Sequence, residues 1–228
     1  MITTVGRRRT AAVLLALAAF LAPSAAPAGA ATPPAATPPT AATVRALPEP
    51  SPADQARAEL AGLTVAEPHA MTGYTRAKFP HWVRQDGECD TREVVLARDG
   101  EGVTRDELCR AGTGVWLSPY DGKVLTTAAQ VDIDHVVPLA NAWRSGADEW
   151  TTAARRAFAN DLEHSQLIAV SAAANRSKAD KSPDQWSPPD RTYWCTYSRA
   201  WIDVKHLYRL NVTGPEAARL TEMLDTCA

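Results

Sequence analysis

The alternation of apolar and polar residues predicts a short strand at residues 131–134, near the middle of the chain. The run ends at Pro138. Successive side chains of a strand point to opposite faces, so Asp132 and Asp134 share one face and His135 lies on the other. Asp134 and His135 can therefore contribute to one site only where the strand bends or ends.

Apolar spacing after this strand predicts two helical pieces, a second strand and a further helix. They cover residues 140–150, 152–162, 167–170 and 171–178, in that order. A strand, a second strand and a helix folded on one another would bring Asp134, His135 and Asn175 together. Candidate chemistry therefore gathers in residues 131–180, called the central segment below.

Further elements are predicted on both sides of the central segment. Before it, the pattern predicts a helix at residues 53–63 capped by Ser51, and a hairpin that turns at Asp121-Gly122. After it, helices are predicted at residues 193–208 and 215–224, the second capped by Thr213. The aromatic residues Tyr74, Phe79 and Trp82 are expected to pack over the core.

The first thirty residues have the pattern of a secretory signal peptide. Three arginines, Arg7 to Arg9, precede an apolar run and an Ala-Gly-Ala site, which predicts cleavage after Ala30 and a secreted protein. The apolar run is shorter than the roughly 20 residues of a membrane span. Residues 31–52 are rich in Ala, Pro and Thr and are predicted to form a disordered linker. Residues 53–228 remain as one domain.

The residue types in the central segment suit phosphodiester hydrolysis. The neutral imidazole of His135 can take a proton from water near pH 7, because the unperturbed pKa of histidine is about 6.5. The oxygens of Asp134 and Asn175 are hard ligands, which suit Mg²⁺ or Mn²⁺ better than Zn²⁺. A divalent cation would neutralise charge on the phosphate and the leaving oxygen. Arg176 and Lys178 add positive charge beside this position.

Two runs in the central segment resemble the HNH endonucleases of the ββα-metal fold. They are Asp-His-Val-Val-Pro-Leu at 134–139 and Asn-Arg-Ser-Lys-Ala-Asp at 175–180. With the segments at 142–150, 158–162 and 167–170, the chain is similar to secreted HNH proteins related to the C-terminal domain of GmrSD-type restriction enzymes. This resemblance extends over about residues 74–227. It implies an α+β fold, with a ββα-metal nuclease core inside a mostly helical domain with short strands.

The resemblance also implies an activity and a role for each site residue. The protein would be an endonuclease that cuts DNA, with RNA as a further substrate; the leader predicts that it is secreted, and a monomer is expected. Its net charge and local basic residues predict little sequence preference. His135 matches the general base, and Asp134 and Asn175 match the metal ligands. Mg²⁺ is the expected metal, with Mn²⁺ and Zn²⁺ as alternatives. Arg176 and Lys178 are expected to hold the phosphate.

The middle residue of the HNH pattern has two candidates in this chain. In the common pattern it lies nine residues before the last Asn, and Gln166 stands there. Asn160 instead matches an Asn of the closer relatives. The middle residue pins a loop through side-chain hydrogen bonds, so we assign Asn160 a supporting role in catalysis and keep Gln166 as the alternative.

An even number of cysteines in an exported chain predicts disulfides. Cys89, Cys109, Cys195 and Cys227 allow three pairings. The pairing of Cys89 with Cys109 and of Cys195 with Cys227 is the most economical, with one bridge on each side of the central segment. A zinc site is disfavoured because the chain has no Cys-x-x-Cys or Cys-x-x-His spacing.

The net charge of −2 is low for a protein that binds nucleic acid by overall charge, and cleavage after Ala30 would remove three more arginines. Basic residues are instead concentrated in and near the central segment: Arg144, Arg155, Arg156, Arg176, Lys178 and Lys181. The acidic charge and Gln166 also motivate a second hypothesis. It is a secreted, non-catalytic binding module that keeps the HNH fold and is displayed at the cell wall by its Pro-rich linker.

Overall fold

The computed structural model describes residues 47–228; the predicted signal peptide and most of the predicted linker lie outside this range. The described part contains seven α-helices: α1 Ala53–Gly62, α2 Thr91–Asp99, α3 Leu139–Arg144, α4 Thr152–Ala159, α5 Ala172–Lys178, α6 Trp194–Leu207 and α7 Gly214–Leu224. It also contains six short strands: β1 Arg84–Asp86, β2 Cys89–Asp90, β3 Thr113–Leu117, β4 Val124–Thr127, β5 Val131–His135 and β6 Leu167–Ser171.

The strands pair in sequence order into three two-stranded antiparallel sheets. The mixture of helices and small antiparallel sheets confirms the predicted combination of helices with short strands. The central segment folds in the predicted order of strand, strand and helix, as β5, β6 and α5. None of the helices between residues 47 and 228 is long and apolar enough to cross a bilayer.

The β5–β6 pair separates two hydrophobic cores. Residues 167–170 of β6 are all apolar, and both faces of the strand are buried. Ile168 and Val170 pack into the larger core, and Leu167 and Ala169 into the smaller one. Directly opposed residues of an antiparallel pair share a face. Asp134, opposite Ile168, therefore lies on the side of the larger core, and His135, opposite Leu167, on the side of the smaller core.

Helix α6 supplies several of the large side chains of the larger core. Tyr197 and Trp201 are fully buried in it, as the predicted aromatic stripe of this helix requires. Phe79 is also buried in this core, and Tyr74 packs against it. Trp82 packs against the smaller core. The aromatic residues before β1 thus have the expected packing role.

Side-chain caps begin several helices, but not at every predicted position. As predicted, Thr213 caps α7. The structure adds a reciprocal pair of hydrogen bonds between Thr213 and Glu216. Ser51 does not cap α1, because Pro52 occupies the cap position. The Ser51 hydroxyl instead donates to Glu59, 3.0 Å away.

The end of the predicted linker is part of the folded domain. Leu47 is buried in the larger core, and Arg199 of α6 forms an ion pair with Glu49 at 2.6 Å and donates to the carbonyl oxygen of Pro50. The domain therefore begins before residue 53. The composition of residues 47–52 resembles that of the preceding linker, which is why the sequence places the boundary too late.

Both expected disulfides are present. Cys89 of β2 is bonded to Cys109, and Cys195 at the start of α6 is bonded to Cys227. The bridges lie on either side of the central segment in sequence. This confirms the predicted pairing.

Candidate active site

The imidazole of His135 is held from two sides at the end of β5. Its Nε2 lies 3.0 Å from the carbonyl oxygen of Ala159, the last residue of α4. Because a carbonyl only accepts hydrogen bonds, Nε2 carries the proton and Nδ1 keeps a lone pair. The ring of Trp82 stacks on the other side, with ring centroids 5.4 Å apart and planes 29° apart. His135 is 4% exposed, and burial lowers its pKa from 6.5 to about 3.

Trp82 adopts an unusual backbone conformation to reach this position. Its φ is 56°, in the left-handed region that bulky residues rarely occupy. Such a conformation costs about 1–3 kcal/mol and persists only where surrounding contacts impose it. The stack on His135 and the packing against the smaller core are two such contacts.

The carboxylate of Asp134 is buried and held by two donors. Tyr120 donates its hydroxyl hydrogen to Oδ2 at 2.7 Å, and the Nζ of Lys178 lies 3.0 Å from Oδ1 and 2.9 Å from Oδ2. Lys178 also donates to the carbonyl oxygen of His135 at 2.9 Å. Burial raises the pKa of Asp134 and lowers that of Lys178, while the attraction between the two charges opposes both shifts.

This arrangement corrects the expected role of Lys178. Its side chain is 0% exposed, so the ammonium cannot reach a phosphate in solvent. The residue is on the inner face of α5, together with Ala174 one turn earlier. Lys178 instead fixes the positions of Asp134 and His135 from inside the protein.

Asn175 and Arg176 lie on the outer part of α5, next to Asp132. The Nδ2 of Asn175 donates to Oδ2 of Asp132 at 3.1 Å, and Nε of Arg176 lies 3.5 Å from the same oxygen. Asp132 thus orients the Asn175 amide. Oδ1 of Asn175 has no hydrogen-bond partner among the residues of the described range. The side chain of Arg176 is 75% exposed and is accessible to a ligand.

An open cavity of about 410 Å³ brings most of the predicted site residues together. Asp134 and His135 line it from the end of β5, and Asn175 and Arg176 line it from α5. Residues before β1 complete its wall: Met71, Tyr74 and Arg76. Lys178 and Asn160 do not line the cavity.

Asn160 joins the two partners of His135. It follows Ala159 directly, and its Nδ2 donates to the carbonyl oxygens of Pro80 at 2.7 Å and Arg156 at 2.8 Å. Its Oδ1 accepts from the backbone N–H of Val83 at 3.1 Å. The side chain therefore ties the end of α4 to the backbone on both sides of Trp82.

Gln166 pins a different loop. Its Nε2 donates to the carbonyl oxygen of Val137 at 2.9 Å, and its Oε1 accepts from the Val137 N–H at 3.0 Å. Gln166 is fully buried, and these two bonds hold the backbone just after His135. Both candidates for the middle position thus form the kind of loop contact expected there.

Asp134 and Asn175 offer a carboxylate and an amide oxygen at the cavity, which are hard ligands of the type that Mg²⁺ prefers. Within residues 47–228 no group of three or more His, Cys, Asp and Glu side chains could hold a metal ion, so a cation bound here would also need oxygens of water or substrate. Mg²⁺ is commonly held by one or two carboxylates together with waters and substrate phosphates. Asp134 has about four lone-pair positions and uses three, which leaves one at Oδ1, and Oδ1 of Asn175 is available.

The sequence predicts no role for Tyr120 or Arg76 and only a packing role for Trp82. Tyr120 lies in the turn between β3 and β4 and donates to Asp134, 14 positions later in the chain, and no local pattern signals that contact. Asp132 is placed on the correct face by the alternation of β5, but its contact with Asn175 depends on how α5 docks.

An Asp-His pair at a strand end, facing an Asn on the following helix, is the arrangement expected of a nuclease-related domain. Over residues 103–223 the chain matches the family of GmrSD restriction endonucleases, C-terminal domain, and it belongs to that family. It is also 53% identical over 192 residues to a protein of Arthroderma benhamiae named as an uncharacterized secreted protein, covering 81% of this chain and 94% of the relative. No solved structure matches significantly. The secreted relative and the two disulfides fit an extracellular location.

Proposed function

We propose that this protein is a secreted, metal-dependent HNH endonuclease that hydrolyses phosphodiester bonds of DNA, and of RNA as a further substrate. The observation that carries the proposal is the state of His135. Its Nε2–H is engaged by the carbonyl oxygen of Ala159, which leaves Nδ1 as the proton acceptor of a residue that lines the cavity. Membership of a restriction endonuclease family supports the same conclusion.

His135 would act as the general base. Nδ1 takes a proton from the attacking water, and the ring becomes an imidazolium. Two contacts stabilise that cation: the Ala159 carbonyl accepts from Nε2–H, and the π face of Trp82 lies against the ring. Both contacts are in place before the reaction, so they need no rearrangement when the charge forms.

Asp134 and Asn175 would hold the divalent cation, most simply Mg²⁺, which supplies charge neutralisation at the phosphate and acidifies water when bound. Acidification matters because the low pKa of His135 makes it a weak base on its own. Lys178 and Tyr120 fix the Asp134 carboxylate, and Asp132 turns the Asn175 amide so that its oxygen is free.

The remaining residues would position substrate and backbone. Arg176 is exposed at the cavity and would contact a phosphate. Asn160 would act as the middle residue by holding both partners of His135, and Gln166 would secure the end of β5. None of these contacts reads a base, in agreement with little sequence preference.

Nicking of supercoiled plasmid by the oxidised protein tests the proposal directly. The reaction is run with Mg²⁺, Mn²⁺ or Zn²⁺ and with EDTA, and an RNA substrate is tested in parallel. His135→Ala should abolish nicking, whereas His206→Ala, an exposed histidine of α6, should leave it unchanged. Folded protein that leaves DNA and RNA intact with every metal would overturn the proposal and favour the non-catalytic binding module.

A further inference from the structure

The cavity has a wall that the family match does not include. Residues 71–82, called the approach segment here, precede β1 and lie outside the matched residues 103–223. Met71, Tyr74 and Arg76 of this segment line the cavity together with the end of β5 and with α5. The segment also supplies Trp82, which stacks on His135.

Within the approach segment, the side chain of Arg76 is held in a defined orientation. Its Nε–H donates to Nε2 of His81, with 3.2 Å between the nitrogens. Nδ1 of His81 lies 2.8 Å from the carbonyl oxygen of Phe79, which is fully buried. Because a carbonyl only accepts, Nδ1 of His81 carries its proton and Nε2 is the acceptor. The carbonyl oxygen of Phe79, the imidazole of His81 and the guanidinium of Arg76 therefore form one chain of hydrogen bonds.

This chain of contacts engages only one edge of the Arg76 guanidinium. Within residues 47–228, its two Nη groups have no hydrogen-bond partner and its side chain forms no ion pair with a carboxylate. Arg176, the other arginine at the cavity, lies 3.5 Å from Asp132. An oriented guanidinium with unused donors at a cavity is complementary to an anion with several oxygens.

The charge of Arg76 also acts on the reacting groups. Burial is the main cause of the raised pKa of Asp134 and of the lowered pKa of His135, and the positive charge of Arg76 lowers both pKa values. The guanidinium is thus close enough to influence the proposed metal ligand and the proposed base. A phosphate placed beside these two groups would be within its field.

We propose that Arg76 is a second phosphate-binding residue of this site, besides Arg176, and that His81 is its positioning residue. The unused N–H groups of Arg76 would donate to two non-bridging oxygens of a backbone phosphate. This inference rests on the proposed endonuclease function and deepens it. It also means that residues 103–223 alone would lack part of the substrate site.

Binding without cleavage separates this role from catalysis. A His135→Ala protein is titrated against a fluorescently labelled DNA duplex at several NaCl concentrations, with and without the further change Arg76→Ala. Loss of one phosphate contact should weaken binding and lower the slope of log K against log [NaCl] by about 0.9. Arg76→Gln is a second neutral variant, for use if Arg76→Ala does not fold.

The controls match the charge change and the orienting contact. Arg57→Ala on α1 removes the same charge outside the cavity, and it should leave the salt slope unchanged. His81→Ala in the otherwise native protein should lower the rate of nicking by about tenfold, the order of one weakened charge-assisted hydrogen bond, because Arg76 loses its orientation. In the non-cleaving His135→Ala protein, the further change His81→Ala should leave the salt slope unchanged, because the charge of Arg76 remains.

The outcomes distinguish this inference from the proposed function. If the wild-type protein cuts DNA, and Arg76→Ala changes neither the cutting rate nor the salt slope of binding, the role of Arg76 is overturned. The endonuclease proposal would then remain intact. A wild-type protein that does not cut nucleic acid and does not bind it would overturn both. A reduced slope with Arg76→Ala but not with Arg57→Ala would support the inference.

Discussion

The indole ring of Trp82 stacks on the imidazole ring of His135, at a centroid separation of 5.4 Å. The two residues are more than fifty positions apart in the chain, and Trp82 lies outside the residues that match the family. The orientation of the proposed base therefore depends on a residue that the nuclease motif does not contain. It also depends on a backbone angle, φ 56° at Trp82, that few large residues adopt.

Replacement of Trp82 should lower the nicking rate as well as the stability, because its ring both stacks on His135 and packs against the smaller core. An aromatic stack is worth about 0.5–1.5 kcal/mol, so Trp82→Ala is expected to reduce the nicking rate by roughly two- to tenfold through loss of His135 orientation. Trp82→Phe should retain part of the rate. Trp82→Gly removes the strain of the left-handed backbone, so its free energy of unfolding, measured in urea, should be higher than its lost packing alone would give. A Trp82→Ala protein with the native rate would show that the stack does not orient the base.

The sequence predicts the local elements of the central segment and one of the two helix caps proposed from it. Strands β5 and β6, helix α5 and the Thr213 cap of α7 follow from alternation, apolar runs and cap residues, which are properties of neighbouring positions. The contact of His135 with the Ala159 carbonyl cannot be predicted from neighbouring positions, because the two residues are 24 positions apart. It depends on where α4 ends relative to β5, and tertiary packing decides that.

The burial of Lys178 could have been predicted from the spacing of residues on α5. A lysine beside metal ligands suggests a phosphate contact, but its spacing from Ala174 places both residues on one face of α5. That face packs against β5 and the larger core, so the lysine is buried and paired with Asp134. Arg176, at a different angle on the same helix, remains exposed.

Lys178→Met should destabilise the protein strongly. It leaves the buried Asp134 carboxylate with Tyr120 as its remaining donor, and removal of one partner of a buried ion pair typically costs about 3–5 kcal/mol. The double variant Lys178→Met, Asp134→Asn should recover much of this loss, because no buried charge remains. Urea unfolding of the four proteins measures the coupling. Lys181→Met, an exposed neighbour, is the control, and additive effects of the two changes would contradict a direct pair.

Asn160→Asp and Gln166→Glu should separate the two loop contacts. Each change keeps an acceptor and removes donors: Asn160→Asp loses the bonds to Pro80 and Arg156, and Gln166→Glu loses the bond to Val137. A buried group left unpaired costs about 1–3 kcal/mol, so Gln166→Glu should be clearly less stable. The contacts of Asn160 are part-buried or exposed, so Asn160→Asp should lose less stability. Asn160→Asp should lower the nicking rate further, because Asn160 holds both partners of His135. A larger rate loss in Gln166→Glu would instead make Gln166 the middle residue of the pattern.

The buried His135 should make the metal-free protein less stable in acid. Its pKa is about 3 in the folded protein and 6.5 when unfolded, so the unfolded chain binds an extra proton between these values. Stability from this group is complete above pH 6.5 and falls with pH below it, by about 2–3 kcal/mol between pH 6.5 and pH 4.5.

Asp134 acts in the opposite direction over part of that range. Burial raises its pKa, so its contribution to stability is present below pH 3.8 and is lost as the pH rises through the folded value. The effect of His135 is therefore measured as a difference between proteins. Urea midpoints in EDTA at pH 7.0 and 4.5 should differ less for His135→Gln than for wild type. The exposed-histidine control His206→Gln should keep the wild-type difference. An equal difference in His135→Gln would mean that His135 takes up its proton in the folded protein, and the ring would then not be held neutral by burial.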